Sequence, residues 1–273
     1  MSILSDHINE TKAAEAFSRQ SKVFDDLYGE DPIIQYKRNR VRRHMLSYLK
    51  PGSQLLELNC GSGEDAIFFA ENDFKVHATD IAQGMLQVLQ QKQNRHYASN
   101  RISFENCSFT QLEFLKNKGP YDHIYSNFGG LNCTGQLDKV LASFNALLKP
   151  GGSFTLVIIS KFCFWEFLLL FKGKFRTAFR RFFSAGGRSA NVEGRQFKCW
   201  YYKPHFIIST LKKDYELLGL ESLCSIVPPS YMQHFAQKHP GLFSFLCKKE
   251  NRFKSYWPWK YWGDYFIITM KKK

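Results

Sequence analysis

No stretch of this chain reaches the ~18–20 consecutive apolar residues that a membrane-spanning helix needs. The longest candidate, FCFWEFLLLF at 162–171, is ten residues and is interrupted by Glu166. The N-terminal MSILSDHINETK has no basic segment leading into an apolar one, so no secretory signal is expected there. The seven cysteines are dispersed, with no CxxC pair. That pattern excludes a zinc framework and reads as reduced thiols in a cytoplasmic protein, with no metal expected. No internal repeat and no disordered tail interrupts a composition that is 44% hydrophobic. Acidic residues are scarce in one place: residues 161–213 hold two of them against twelve Lys and Arg. Most of the net charge of +14 sits in that segment and in the last 27 residues. The middle of the chain is close to neutral, so the basic segment is attached to an electrically ordinary scaffold.

What the chain does contain is alternation. Residues 11–49 read as helices. Short apolar strands follow at QLLELN (54–59), KVHATD (75–80), ISFENC (102–107), YDHIYSN (121–127) and SFTLVIIS (153–160), with helical periodicity between them. The expected fold is α/β: a doubly wound, Rossmann-like sheet of seven strands, mostly parallel, with the last strand antiparallel. A sixth strand is expected at 221–229, after a helix over 203–220, and the last strand at GDYFIITMKKK. The expected divisions are a helical cap (1–49), a core (50–160), an aromatic and basic helical lid (161–203) and the remainder of the core (204–273).

The loop Gly61-Ser62-Gly63-Glu64-Asp65-Ala66 fits the dinucleotide fingerprint G-x-G-x-x-G/A. Two features argue against a nicotinamide or flavin. Asn59 and Cys60 separate the strand from the first glycine, and an acid, Glu57, sits in the strand itself. The run Glu57-Leu58-Asn59-Cys60-Gly61-Ser62-Gly63, Asp80 ending the second strand, YDHIYSNFGGLN, the PGG at 150–152 and the late GDYFIITM strand form an ordered set. This set resembles the class I S-adenosylmethionine-dependent methyltransferases, and within them the small-molecule branch related to quinone biosynthesis. Asn59 stands where that family usually has glycine, and Ser108 where it often has aspartate.

The resemblance implies S-adenosylmethionine as cofactor and assigns it residues. Gly61 and Gly63 let backbone approach the ligand closely. Asp80 accepts the ribose hydroxyls, and Glu57 suits the ammonium of the methionine half, with Asn59 and Cys60 in the same loop. Ile81 and Met85 wall the adenine, with Cys107, Ser108 and Phe109 on its other side. Asn127, Phe128 and Gly129 lie beside the reactive methyl. No base stands out. Candidates are Glu166, an acid in an apolar run that burial would turn into a base or that a lid arginine would pair with, His123, which packing explains as well, and Tyr28, either an aromatic closing over the cofactor or a packed core residue. Trp165, Tyr201, Tyr202, Tyr231 and His234 are candidates for contact with the acceptor.

The expected activity is methyl transfer to a small hydrophobic or aromatic metabolite, with oxygen favoured over carbon as acceptor. Two alternatives stay open: a nucleic-acid or protein methyltransferase docking through the basic lid, and a protein that binds cofactor or metabolite without transfer. KFCFWEFLLLFKGKFRTAFRRFF mixes aromatic and basic residues around its helical wheel. It fits a pocket cap, a contact with an anionic membrane surface or, least well, nucleic acid, because no Asn/Asp-Pro-Pro-aromatic motif accompanies it. Exposed aromatics there would equally serve a dimer, and the oligomeric state is left open.

Overall fold

In a computed structural model of the chain, residues 3–96, 99–232 and 234–273 are described. Two helices, α1 (Ile3–Tyr28) and α2 (Pro32–Leu46), come first. Asp31 caps α2, its Oδ1 accepting from Ile33 N and Ile34 N at 2.8 and 3.0 Å, and Pro32 at the first helical position needs no donor partner. Then come β1 (Gln54–Leu58), α3 (Glu64–Glu71), β2 (Lys75–Asp80), α4 (Gln83–Gln93), β3 (Ile102–Asn106), β4 (Tyr121–Ser126), α5 (Leu137–Leu147) and β5 (Leu148–Ile159). The segment after β5 holds α6 (Phe164–Phe167), α7 (Phe175–Phe179), β6 (Arg188–Val192) and β7 (Arg195–Cys199). The chain closes with α8 (Pro204–Leu211), β8 (Tyr215–Leu223), α9 (Phe235–Lys238), α10 (Pro240–Phe253) and β9 (Tyr265–Lys272).

Seven strands form one sheet in the order β3-β2-β1-β4-β5-β9-β8. Only β9 runs antiparallel to its neighbours, pairing Ile268 with Leu156 on one side and Leu220 on the other. The two-residue alternation of strands sorts side chains between two cores. On one face Leu56, Leu58, Ile124 and Phe154 pack with Val140, Leu141 and Phe144 of α5 and Ile207 of α8. On the other, Leu55, Val76, Tyr125 and Val157 pack with Val41 and Met45 of α2, Phe69 of α3 and Leu89 of α4. Glu57 and Tyr125 lie opposite each other in the β1–β4 register, on this second face.

Two local expectations are corrected. The helix expected over 203–220 stops at Leu211, and the sixth strand begins at Tyr215 rather than 221. LKKDYELLGL is rich in helix formers, but pairing with β9 from Tyr215 onward outweighs that preference. The segment expected as a helical lid is half hairpin. Its β6–β7 turn is made by Glu193 and Gly194, both at positive φ (48° and 74°), the geometry of a tight type I′ hairpin. No helix among the described residues is long and apolar enough to cross a membrane.

Candidate active site

Strand order reverses between β1 and β4, and open α/β sheets hold ligands beyond the carboxyl ends at such a point. A cleft lies there. Residues 59–62 form its floor, Ile81, Met85 and Phe109 its walls, and Ala13, Ala14, Phe17 and Phe24 of α1 its roof.

The floor is built on left-handed backbone. Asn59, Gly61 and Gly63 have φ of 51°, 56° and 79°. Asparagine is among the few side-chain-bearing residues that adopt this conformation readily, which accounts for Asn59 in place of glycine. Its side chain also has work there: Asn59 Nδ2 donates to Asn127 O at 3.2 Å, and Ser126 Oγ donates to Asn59 Oδ1 at 2.6 Å, joining the loops after β1 and β4. The space it fills is what Gly130 leaves free, since a Cβ on Gly130 would collide with it. At Gly61 a Cβ would meet nothing within 4 Å, whereas at Gly63 it would run into Leu89.

Asp80 ties this loop to α4. Its Oδ2 accepts from Gly61 N at 2.9 Å and its Oδ1 from Ala82 N at 2.8 Å. Burial raises its pKa, and these backbone donors work against that rise.

Glu57 and Asp65 are a pair of buried acids with opposite environments. Asp65 receives Arg38 at 3.2 Å, Arg42 at 2.7 Å and Asn127 Nδ2 at 2.7 Å. Burial opposes its ionisation, but the two arginines and the amide outweigh it and hold its pKa below the ordinary value. At Glu57 the balance is reversed: Tyr125, Arg38 and Arg42 favour its charge, but they do not outweigh burial. Its Oε2 is buried without a hydrogen-bond partner among the described residues. Burial, with Asp65 adding to it, pushes its pKa well above the usual range. Both arginines bond to Asp65, so the cleft retains a carboxyl without an ion-pair partner of its own, one that a ligand's cation would suit.

Residues 55–152 match the family model described as a methyltransferase domain. Among curated relatives, the chain is 33% identical to the demethylmenaquinone methyltransferase of Bacteroides fragilis over 41% of its own length and 46% of the relative's. It is 30% identical to the S-adenosyl-L-methionine-dependent Diels-Alderase iccD of Talaromyces variabilis, over 47% of the chain and 44% of that protein. The matched region thus spans less than half of each relative. Among solved structures, the 1,6-didemethyltoxoflavin-N1-methyltransferase of Burkholderia thailandensis aligns with a TM-score of 0.59 at 15% identity, covering 100% of this chain and 92% of that one. A putative S-adenosylmethionine-dependent methyltransferase from Listeria monocytogenes aligns at 0.58 and 16%, covering 85% and 96%. At such identities the structures establish the fold.

Residues 55–152 carry a methyltransferase domain, on the fold of the S-adenosylmethionine-dependent methyltransferases.

Within the methyltransferase domain, Glu57, Asn59, Cys60, Gly61, Asp80, Ile81, Met85, Phe109, Asn127 and Phe128 meet in the cleft. Gly63 shapes the entry to α3 instead, and Gly129 turns under Ile159. The Cys107 sulfur faces its own loop, at 3.5 Å from Ser108 O and Gln111 O. Ser108 does not face a ligand, because its hydroxyl donates to Glu10 Oε2 at 2.7 Å, as does that of Thr110. Glu10, Phe17, Phe24, Arg38 and Asp65 are cleft residues that sequence reasoning missed. The spacing of Ala13, Phe17 and Phe24 along one helix was the available signal for the roof.

The expected catalytic residues are corrected. Glu166 is buried, but Arg180 and Arg181 each reach it at 2.5 Å. Burial alone would raise its pKa, and the two guanidinium groups reverse the direction, so it is no base. Arg181 also binds Asp264 Oδ1 at 2.5 Å, placing a cation amid the acids of a Cys163–Glu166–Asp264 group that has metal-ligand spacing. His123 is fully buried inside β4, with Nδ1 2.7 Å from Ser153 Oγ, and burial pulls its pKa down to about 3. Tyr28 packs on Phe24, one helical turn beyond the cleft. The acceptor candidates lie elsewhere too. Tyr201 and Tyr202 line a separate depression with His205. Trp165 belongs to α6, Tyr231 is half exposed, and His234 contacts Gln237 at 3.1 Å. Among the described residues lining the cleft there is no His, Lys or Tyr.

Proposed function

We propose that the chain transfers a methyl group from S-adenosylmethionine to a small, apolar or aromatic acceptor. The buried carboxyl of Glu57, whose Oε2 has no hydrogen-bond partner among the described residues, carries this reading, for it suits the ammonium of the cofactor's methionine end. When bound, the cofactor supplies an electrophilic methyl on a sulfonium sulfur. The chain's part is to bind, align and exclude water. Asp80 has lone pairs left for ribose hydroxyls, the backbone of Gly61 allows close approach, and Ile81, Met85 and Phe109 offer apolar walls for adenine. Phe17 and Phe24 close the roof against solvent.

The acceptor meets Asn127 and Phe128 at the end of β4. The Asn127 amide is committed to Asp65 Oδ2 and to Phe128 N, so it positions the loop rather than moving a proton. No His, Lys or Tyr among the described residues lines the cleft, and an acceptor that arrives ionised needs no base. Two cations flank Phe128: Arg38 at 5.0 Å and Lys37 at 5.3 Å from its ring centroid. Lys37 is buried, held by Ser230 Oγ at 3.1 Å and the face of Tyr265 at 4.9 Å. Arg38 is paired with Asp65, so Lys37 is the cation that would face a carboxylate or phenolate, and it supports oxygen over carbon as the methylated atom.

The test is incubation of the protein with methyl-labelled S-adenosylmethionine and an extract of small acidic metabolites, followed by mass analysis. Label in an organic-extractable product that has gained one CH2 bears the reading out. A product of unchanged mass would instead mean that the cofactor is held without transfer. Label in RNA or protein, with steep salt dependence, would favour a macromolecular acceptor.

A further inference from the structure

Of the large apolar side chains among the described residues, six exceed 60% exposure, and five of these are Phe171, Phe175, Phe183, Tyr256 and Trp257. They come from two distant pieces of chain, the segment around α7 and the connection before β9. A run of ring contacts joins the pieces: Phe179 to Phe182 at 6.1 Å, Phe182 to Phe162 at 6.2 Å, Phe162 to Trp262 at 6.2 Å and Trp262 to Trp259 at 5.5 Å. These contacts bring the two segments together, and the five exposed rings neighbour them in sequence, so the two pieces form one aromatic region, here called the ridge. Exposed apolar groups are ordinary singly, and a contiguous set marks a contact surface.

The ridge is backed rigidly and flanked by unspent charge. Arg181 anchors it from beneath, donating to Ser160 O at 2.9 Å and Asp264 O at 3.0 Å as well as to the acids already described. Lys172, Lys174 and Arg176 beside Phe171 and Phe175 are exposed and form no ion pair with a described residue. Of the two acids in residues 161–213, Glu166 is buried and neutralised and Glu193 lies on the hairpin turn.

We infer that this ridge seats the protein on the surface of an anionic bilayer. Phe171 at 85%, Phe183 at 74% and Trp257 at 79% exposure protrude, as wedges entering the acyl boundary must. Tyr256, Trp257 and Tyr261 supply the amphipathic rings favoured at headgroup depth. Lys172, Lys174 and Arg176, next to Phe171 and Phe175 in the chain and exposed like them, supply the charge that anionic headgroups meet. Protruding phenylalanines with cations behind them fit a deformable apolar layer better than a groove tracking a polynucleotide.

Flotation with vesicles of phosphatidylcholine, alone and mixed equally with phosphatidylserine, tests this without recourse to methyl transfer, so it stands or falls apart from the proposed activity. The expected result is at least about tenfold stronger binding to the anionic vesicles, fading as salt shortens the Debye length. K172A/K174A should lose about twentyfold or more, at roughly fivefold per cation near such a surface. F171S/F183S should lose binding to a similar degree, while both variants keep wild-type melting temperature and S-adenosylhomocysteine affinity. Equal binding to neutral and anionic vesicles, absence of binding, a single-stranded RNA that displaces the vesicles, or a stable dimer that buries the ridge would each overturn the inference.

Discussion

Replacing Glu57 by Gln keeps the shape of the side chain and removes its titration, and the structure sets the sign of two consequences. The folded Glu57 carboxyl has a raised pKa, caused first by burial and then by Asp65. Between the unfolded carboxylate range, about 4.3, and the folded value, the native state therefore holds a proton that the unfolded chain has lost. Stability falls as pH rises through that window, by up to about 1.4 kcal/mol per pH unit. For a chain of this size that is about 3–5 °C per unit. E57Q lacks the penalty, so it should melt with the wild type at pH 4 and several degrees above it at pH 7. Its affinity should move the other way. An ammonium bound by a carboxylate contributes about 1.5–3 kcal/mol, so E57Q should bind S-adenosylhomocysteine about 10–150-fold more weakly. The wild type must ionise Glu57 to bind, so its affinity rises with pH, and titration in two buffers of different ionisation enthalpy should reveal a released proton. E57Q should release none. Affinity within about threefold of wild type, or an unchanged proton release, would refute the assignment of Glu57 to the ligand's cation.

Three further outcomes follow from the same geometry. Gly63→Ala combines a φ of 79° with collision against Leu89, so it should cost about 2–5 kcal/mol of stability; Gly61→Ala faces open space, and in calorimetry it should lose ligand affinity while costing only about 1–2 kcal/mol of stability. Arg181→Met strands Asp264 in a buried site and leaves Glu166 to Arg180 alone, so it should lower stability by about 3–5 kcal/mol in denaturant titration, whereas Glu166→Gln should leave kcat nearly unchanged. His123 has a folded pKa of about 3 against an unfolded value near 6.5, so its neutral form contributes stability that is lost as pH falls from about 6.5 toward 3; His123→Asn should flatten that slope and leave the pH dependence of methyl transfer near neutrality as it was.

The parts of the fold legible in the sequence were those where local pattern and tertiary demand agree. β2 occupies the expected span, and the GSG loop, Asp80 and the β4 end meet because strand order places them together. Where tertiary demand overrides local preference, the reading failed. Residues 215–220 have helical composition but complete a sheet, and the hairpin turn uses Glu-Gly in place of the commoner Asn-Gly. Charge partners were the least legible. Pairing with a lid arginine was an open alternative for Glu166, and two arginines reach it; nothing in the sequence announces that Arg38 and Arg42 bond to Asp65 rather than Glu57. Such pairings join residues distant in sequence, and they reverse what burial alone would do to a carboxyl.

The most direct test of the central claim is calorimetric titration of the protein with S-adenosylhomocysteine, set against NADH at equal concentration. Saturable binding of the homocysteine compound alone, with a stoichiometry of one and loss on Glu57→Gln, is the predicted result. Binding of NADH in its place would mean that the glycine loop and Asp80 hold a dinucleotide and would contradict the account.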